Sequence, residues 1–250
     1  MIKDKKIAVV MPAYNASKTL ETTYSEIPFD IVDIVILVDD NSRDDTAKIA
    51  KDIGINYVIV HEKNKGYGGN QKSCYKKALE VSADIIIMLH PDYQYTPKLI
   101  HSMAYLIADN VFDVVLASRI LGNGALEGGM PLIKYISNRG LTFIQNLLVN
   151  HKLSEYHTGY RAFSKVIFEK IDIEKNSNNF VFDNQMLSQI IYNKYRIGEI
   201  TCPTKYFDDA SSINLKNSTV YALGVLKTSV NHFMARLKIY TPRILKNNEQ

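Results

Sequence analysis

No apolar run in the sequence approaches the roughly 18 to 20 residues that a helix needs to cross a bilayer, so no membrane span is expected. Surplus charge is equally scarce. The 30 lysines and arginines are set against 26 aspartates and glutamates, and a net +4 is too small for the broad basic face of a general nucleic-acid binder. Only two cysteines occur, Cys74 and Cys202, too far apart for a metal knuckle. Cys74 falls in a helical pattern and reads as a small buried thiol, which suits a reducing compartment. Met1 to Lys6 is charged and runs straight into Ile7-Ala8-Val9-Val10, without the ordered regions of a signal peptide. The expected location is cytoplasmic, at most on the cytoplasmic face of a membrane. Internal repeats and low-complexity segments are missing too. With 46% hydrophobic and 22% charged residues, the 250-residue chain can bury a sizeable core, which excludes disordered and fibrous classes.

What is present is an alternation. Ile7 to Met11, Ile34 to Val38, Tyr57 to Val60, Ile85 to Leu89 and Val114 to Leu116 are short β-branched or continuously apolar runs, the pattern of parallel strands covered on both faces. Helical patterns separate them: about Ser17 to Tyr24, Asp45 to Ile53, Gly69 to Val81 and Pro97 to Asn110. Asp44 or Ser42 offers an N-cap and Gly54 a stop. The order predicts an open, doubly wound α/β fold, whose ligands sit beyond the carboxyl ends of the strands. After Ser118 the rhythm changes to a glycine-rich loop, a helix from about Leu132 to Asn150, an irregular stretch through Gly159 and a helix from Asp183 to Tyr195. From Thr219 onward Leu223, Leu226, Val230, Phe233, Leu237, Tyr240 and Ile244 recur at spacings of three and four, one apolar stripe until Pro242 disturbs the helix. Six basic residues against Glu249 give residues 216–250 a net +5 and leave the rest of the chain at −1, marking the tail as a contact surface.

The loops after the strands carry the chemistry. Pro12-Ala13-Tyr14-Asn15 reads either as a plain turn stiffened by proline or as one whose flat Tyr14 ring stacks on a base. Asp39 and Asp40 continue an apolar strand without serving as caps, and a carboxylate there can accept from a ribose hydroxyl or a base N–H. Asn64-Lys65-Gly66-Tyr67-Gly68-Gly69 precedes a helix and either brings backbone N–H groups to a phosphate or makes a tight turn. His90 and Asp92, two apart on an extended segment, share a side and either point at one divalent cation or lie in an exposed loop with an incidental histidine. Arg119 closes the fifth strand, where a guanidinium can pair with phosphate.

Taken in order, Val9 to Asn15, Val38-Asp39-Asp40-Asn41-Ser42 with Asp45-Thr46, Asn64 to Gly69 and Pro91-Asp92-Tyr93-Gln94 resemble the successive signatures of family 2 glycosyltransferases with the GT-A fold. Ala117-Ser118-Arg119, Met130-Pro131, Asn138-Arg139 and Thr158-Gly159-Tyr160-Arg161-Ala162 resemble the branch of dolichol-phosphate mannose synthases and polyprenyl-phosphate sugar transferases. The resemblance covers roughly residues 6–206 and implies a GT-A catalytic domain over 1–215, with a nucleotide-binding half to about 120 and an acceptor-side half over 121–215; the stripe and charge of residues 216–250 read as a basic amphipathic helical tail.

It further implies inverting transfer of a sugar from a GDP- or UDP-linked donor to a polyprenyl or dolichyl phosphate, helped by Mg²⁺ or Mn²⁺. Pro12, Ala13, Tyr14 and Asn15 would hold the base, and Asp39 or Asp40 the base or ribose. Gly66, Gly68, Gln94 and Arg161 would line the donor site, while Arg119 and Arg139 would neutralise phosphate charge. Asp92 would meet the metal. The family's first metal-motif position, usually Asp, is His90 here, and an imidazole suits Mn²⁺ better than Mg²⁺. A phosphate acceptor is already ionised and needs no general base. An alcohol would need one, and Asp183 or Glu155 stands in place, each equally able to cap a helix or pair with Arg161. His157 reads as a polar group of the cleft wall, and His61 has no partner spacing.

Two other readings remain: a soluble family 2 enzyme building a polysaccharide or glycan, and a non-catalytic nucleotide-sugar binding protein. A dinucleotide oxidoreductase is disfavoured, because the first strand leads into Pro12 to Asn15 rather than a glycine-rich turn. The tail either meets a membrane as a peripheral contact, or packs on the body or its own copy in a homodimer.

Overall fold

The computed structural model describes residues 1–204 and 215–246. Residues 205–214, assigned above to the acceptor-side half, and 247–250 of the tail lie outside the described residues. The five apolar runs form β1 (Ile7–Ala13), β2 (Ile34–Asp39), β3 (Tyr57–Val60), β4 (Ile85–Met88) and β5 (Val114–Ser118), separated by α1 (Leu20–Ser25), α2 (Thr46–Asp52), α3 (Tyr67–Glu80) and α4 (Ile100–Ala108). There follow α5 (Gly124–Glu127), α6 (Leu132–Val149), β6 (Arg161–Ser164), α7 (Val166–Lys170), α8 (Phe182–Tyr192), β7 (Ile197–Thr201) and α9 (Leu215–Arg236).

The strands form one seven-stranded sheet in the order β3-β2-β1-β4-β6-β5-β7. Along β1 the side chains alternate between two cores, because successive residues of a strand face opposite sides. Ile7, Val9 and Met11 pack with α1 and α4 through Leu20, Ile100 and Met103. Ala8 and Val10 pack with α3 and α8 through Cys74, Tyr75, Phe182 and Met186. Both faces are therefore covered, as the unbroken apolarity of the strands requires.

Two differences from the sequence reading concern the second half. The segment between Gly159 and Asp183, to which the sequence reading assigned no element, contains β6, which runs antiparallel between β4 and β5 and pairs Met88 with Arg161. It is four residues long and opens on a charged side chain, so it has no apolar run to betray it. The tail helix ends at Arg236 rather than reaching Pro242. Lys238 is left-handed (φ 59°) and the Ile239 N–H donates to the Met234 carbonyl, a left-handed C-terminal cap. The helix packs on α6 and α8, but its inward residues are Val225, Thr228, Ser229, His232 and Ala235. Of the apolar stripe, Leu223, Val230, Leu237 and Tyr240 are exposed. Among the described residues no helix is long and apolar enough to cross a membrane.

Candidate active site

The carboxyl ends of β1, β2 and β4 converge on one edge of the sheet. The turns after β1 and β2 are stitched together: the Asn15 N–H donates to Ser42 Oγ (2.8 Å), the Arg43 N–H to Asn15 Oδ1 (2.9 Å) and the Ala16 N–H to Thr46 Oγ1 (2.8 Å). Asp44 closes the first turn of α2 by accepting from the Thr46 N–H. Burial works against its charge, yet hydrogen bonds from Thr46 and Ser17 hold its carboxyl at about 2. Pro12 and Ala13 lie within β1, and the Tyr14 ring beside them is half exposed at the rim.

Asp39 and Asp40 are both buried, and each has a distinct task. Asp39 accepts from the backbone N–H and the hydroxyl of Ser42. Asp40 reaches across to the glycine-rich turn, accepting from the Lys65 N–H (2.8 Å) and the Gly66 N–H (2.9 Å). Its Oδ1 also lies 2.7 Å from His61 Nδ1, and His61 Nε2 lies 2.9 Å from Ser73 Oγ. His61 thus gains a structural place that spacing alone did not reveal. Gly66 has φ +83°, and a Cβ there would come within 2.7 Å of the Asn178 carbonyl oxygen, so the turn admits only glycine without strain. Asn70, one turn into α3, donates to the Ala13 and Val38 carbonyls and fixes the helix to both strand ends.

Tyr67 then joins this half to the other. Its hydroxyl donates to Asp183 Oδ2 (2.7 Å) and lies 3.1 Å from His90 Nε2. The imidazole of His90 stacks on the Tyr67 ring and abuts Gly159, where a Cβ would come within 2.5 Å of Nε2. Asp183 also accepts from Gln71 Nε2 (3.1 Å). Burial and the Asp183 carboxylate push the Tyr67 hydroxyl far above its ordinary pKa, so it stays a proton donor within this chain of contacts. Arg161, expected at the donor, is fully buried instead, its guanidinium donating to the carbonyls of Thr158, Tyr156 and Asp183.

In the second half of the chain Glu155 is fully buried and its partner is Arg119, not Arg161. The two form a salt bridge, the Arg119 N–H and Nε each donate to the carboxylate (2.9 Å), and Asn138 Nδ2 adds another bond (2.8 Å). Burial alone would raise the Glu155 pKa, but the Arg119 charge and these donors hold it below the usual range. His157 Nδ1 lies 2.7 Å from the Tyr221 hydroxyl of α9, while its buried Nε2 has no hydrogen-bond partner. Burial pushes that imidazole down to about 4, so it is neutral near pH 7. Arg139 is exposed on α6 beside Asn138. Tyr67, Gln71 and Tyr221 are the members that the sequence reading missed, and only the glycine-rich run around Tyr67 could have drawn attention to one of them.

For a divalent cation the donors at this edge are few. Among the described residues no group of three or more His, Cys, Asp or Glu side chains could hold one. Asp92, partly exposed, accepts from the Gln94 N–H (3.1 Å), and Gln94 is itself partly exposed. His90 turns Nε2 toward Tyr67. One carboxylate suits the Mg²⁺ mode in which substrate phosphates and water complete the shell, so the residues fit a cation carried in with a diphosphate rather than a protein-built cage.

Comparison with known proteins gives the same direction. The family described as glycosyl transferase family 2 matches residues 8–172. The UDP-N-acetylglucosamine–dolichyl-phosphate N-acetylglucosaminyltransferase of Methanococcus voltae is 32% identical over 219 residues, covering 81% of this chain and 87% of that protein. The dolichol-phosphate mannosyltransferase of Pyrococcus furiosus is 24% identical over 176 residues, 67% of this chain but 49% of that one. Glucosyl-3-phosphoglycerate synthase from Mycobacterium tuberculosis, solved with Mn²⁺, UDP and phosphoglyceric acid, superposes with a TM-score of 0.69 at 16% identity over 92% of this chain and 79% of that chain, a likeness of fold.

Proposed function

The chain belongs to glycosyl transferase family 2, and from that premise we propose that it moves a sugar from a UDP-linked donor to a dolichyl-type polyprenyl phosphate with inversion. The similar methanococcal protein carries this donor and acceptor class in its name, and the mycobacterial structure holds UDP with Mn²⁺. The observation that carries the acceptor is the state of the two acidic side chains on that side. Glu155 is neutralised by Arg119, and Asp183 accepts from Tyr67 and Gln71. Glu155 is committed to Arg119 and Asp183 is tied to two donors, an arrangement that suits an acceptor whose phosphate oxygen is already ionised and needs no general base.

In this reading Pro12 to Asn15 surround the base with the Tyr14 ring against its face, and Asp39 uses its remaining lone pairs for a base N–H or the ribose. The Gly66 turn, held by Asp40, lies at the donor together with Gly68 and Gln94. Asp92 would hold Mg²⁺ or Mn²⁺, which when bound offsets charge on the departing diphosphate. The acceptor oxygen forms its bond to the anomeric carbon as the bond to the diphosphate breaks on the opposite face, the nucleotide leaving with the electron pair. Arg139, exposed on α6, lowers the charge on the acceptor's phosphate, while the Arg119 charge is engaged by Glu155. Asp183, Tyr67 and His90 form the floor beneath the reacting carbon and fix its distance from the acceptor.

The test is an assay with UDP-N-acetylglucosamine and a short polyprenyl phosphate, against the matching polyprenol and a soluble oligosaccharide. Sugar appearing on the phosphate alone is the expected result. Transfer to the oligosaccharide with an inert polyprenyl phosphate would overturn the acceptor and favour glycan elongation.

A further inference from the structure

Helices α6 and α9 are built inside out. The inward face of α6 is Asn138, Thr142, Gln145 and Val149, three of them polar. Its outward face carries Ile133, Ile136, Phe143 and Leu147 at 76, 60, 64 and 62% exposure. These four recur at the spacings of one helical stripe, with Gly140 between them. The neighbouring α9 is similar: Thr228, Ser229 and His232 face in beside Val225 and Ala235, while Val220, Leu223 and Val230 face out.

The inner polarity has a cause in the site. Asn138 donates to Glu155, Gln145 to Asn184 (2.6 Å), Asn184 to the Tyr221 hydroxyl (2.7 Å), and His232 Nδ1 lies 2.9 Å from Ser188 Oγ. No such cause explains the outer faces. A soluble surface of this kind would be polar, and contiguous exposed apolar residues mark a surface that something covers.

We propose that the outer faces of α6 and α9 dock on an anionic lipid bilayer, apolar side chains entering the interface while basic ones meet the headgroups. Charge decides this occupant over a second copy of the chain. Residues 128–154 and 215–246 contain nine lysines and arginines and no aspartate or glutamate. Arg139 and Lys227 are exposed on the two helices, and Arg236, Lys238 and Arg243 follow at and beyond the end of α9. Anionic headgroups complement such a surface, whereas a two-fold interface would set these cations against their own copies. The acceptor proposed above gives the docking a purpose, but the face is argued from the helices alone.

The chain contains no tryptophan, so Phe143→Trp places a sole indole reporter on the outer face of α6. With the full-length protein, its emission should shift to the blue on phosphatidylglycerol–phosphatidylcholine vesicles and stay unshifted on pure phosphatidylcholine. Binding should favour the anionic vesicles by about a hundredfold, falling severalfold with added salt. The triple variant Ile133→Glu, Phe143→Glu, Leu147→Glu should lose vesicle binding while keeping its circular dichroism, because all three side chains are exposed. No vesicle binding by the folded wild-type protein overturns the proposal. So does a blue-shifted indole without lipid, accompanied by a dimer that the triple variant abolishes, since a second copy would then cover the face. None of these readouts uses a substrate. Failure of the sugar-transfer reading leaves them standing, and if transfer occurs, the triple variant should still act on detergent-solubilised acceptor.

Discussion

The two halves of the site satisfy their buried carboxylates in different ways. On the donor side Asp39 and Asp40 accept mainly from backbone N–H groups of turns within about two dozen residues, those of Ser42, Lys65 and Gly66. In the other half of the site Glu155 and Asp183 accept chiefly from side chains: Arg119, Asn138, Tyr67 and Gln71. A carboxylate held by backbone survives most single substitutions around it, because no mutation removes an N–H except one to proline. One held by side chains is exposed to each of them.

The largest break in that contrast should come from Glu155→Ala. It strands the Arg119 guanidinium without its partner, and losing one member of a buried pair typically costs about 3–5 kcal/mol. Urea unfolding should show the loss, and a cost near zero would mean that water reaches the pair. Tyr67→Phe comes next. Removing one hydrogen bond to a charged group is worth about 1.5–3 kcal/mol, and here it falls on the link between Asp183 and His90, so turnover should drop about tenfold or more. Nucleotide affinity, measured by calorimetry, should barely change, and a selective loss of affinity would move Tyr67 to the donor side.

Acidification provides a third probe. His157 and His232 are held at about 4 by burial. The folded values lie below that of an unfolded histidine, so between about pH 6.5 and 4 the unfolded chain binds more protons. Stability is therefore full above that window and declines as the pH falls through it, by up to about 1.4 kcal/mol per pH unit for each imidazole. His157→Gln should flatten the decline, and an unchanged slope would clear His157 of it. The smallest effect belongs to the donor side. Ser42→Ala removes one hydroxyl from Asp39 but leaves the Ser42 N–H, so a loss of about 0.5–1.5 kcal/mol is expected. A larger loss would erase the distinction between the halves.

The same contrast governs how much the sequence revealed. The strands of the first half were legible because they are continuous apolar runs, and candidate residues such as Asp39, Asp40 and Asp92 could be sought at their carboxyl ends. Glu155 and Asp183 were visible as candidates, but their partners lie 36 and 116 residues away, and no local pattern encodes such pairings. Periodicity in α9 showed which residues share a face without showing which face turns inward. The site reversed the usual answer by demanding polar groups inside.

The position of β6 has one more consequence, for synthesis. Among the described strands, β5 reaches the β1–β4 block only through β6, and β7 attaches only to β5. A nascent chain that has emerged through Ser118 therefore holds two apolar strands, β4 and β5, that cannot join until Ser164 follows. For those residues both carry an open edge. The first five strands are thus complete well before the sheet can close, an interval in which these open edges are exposed to mispairing.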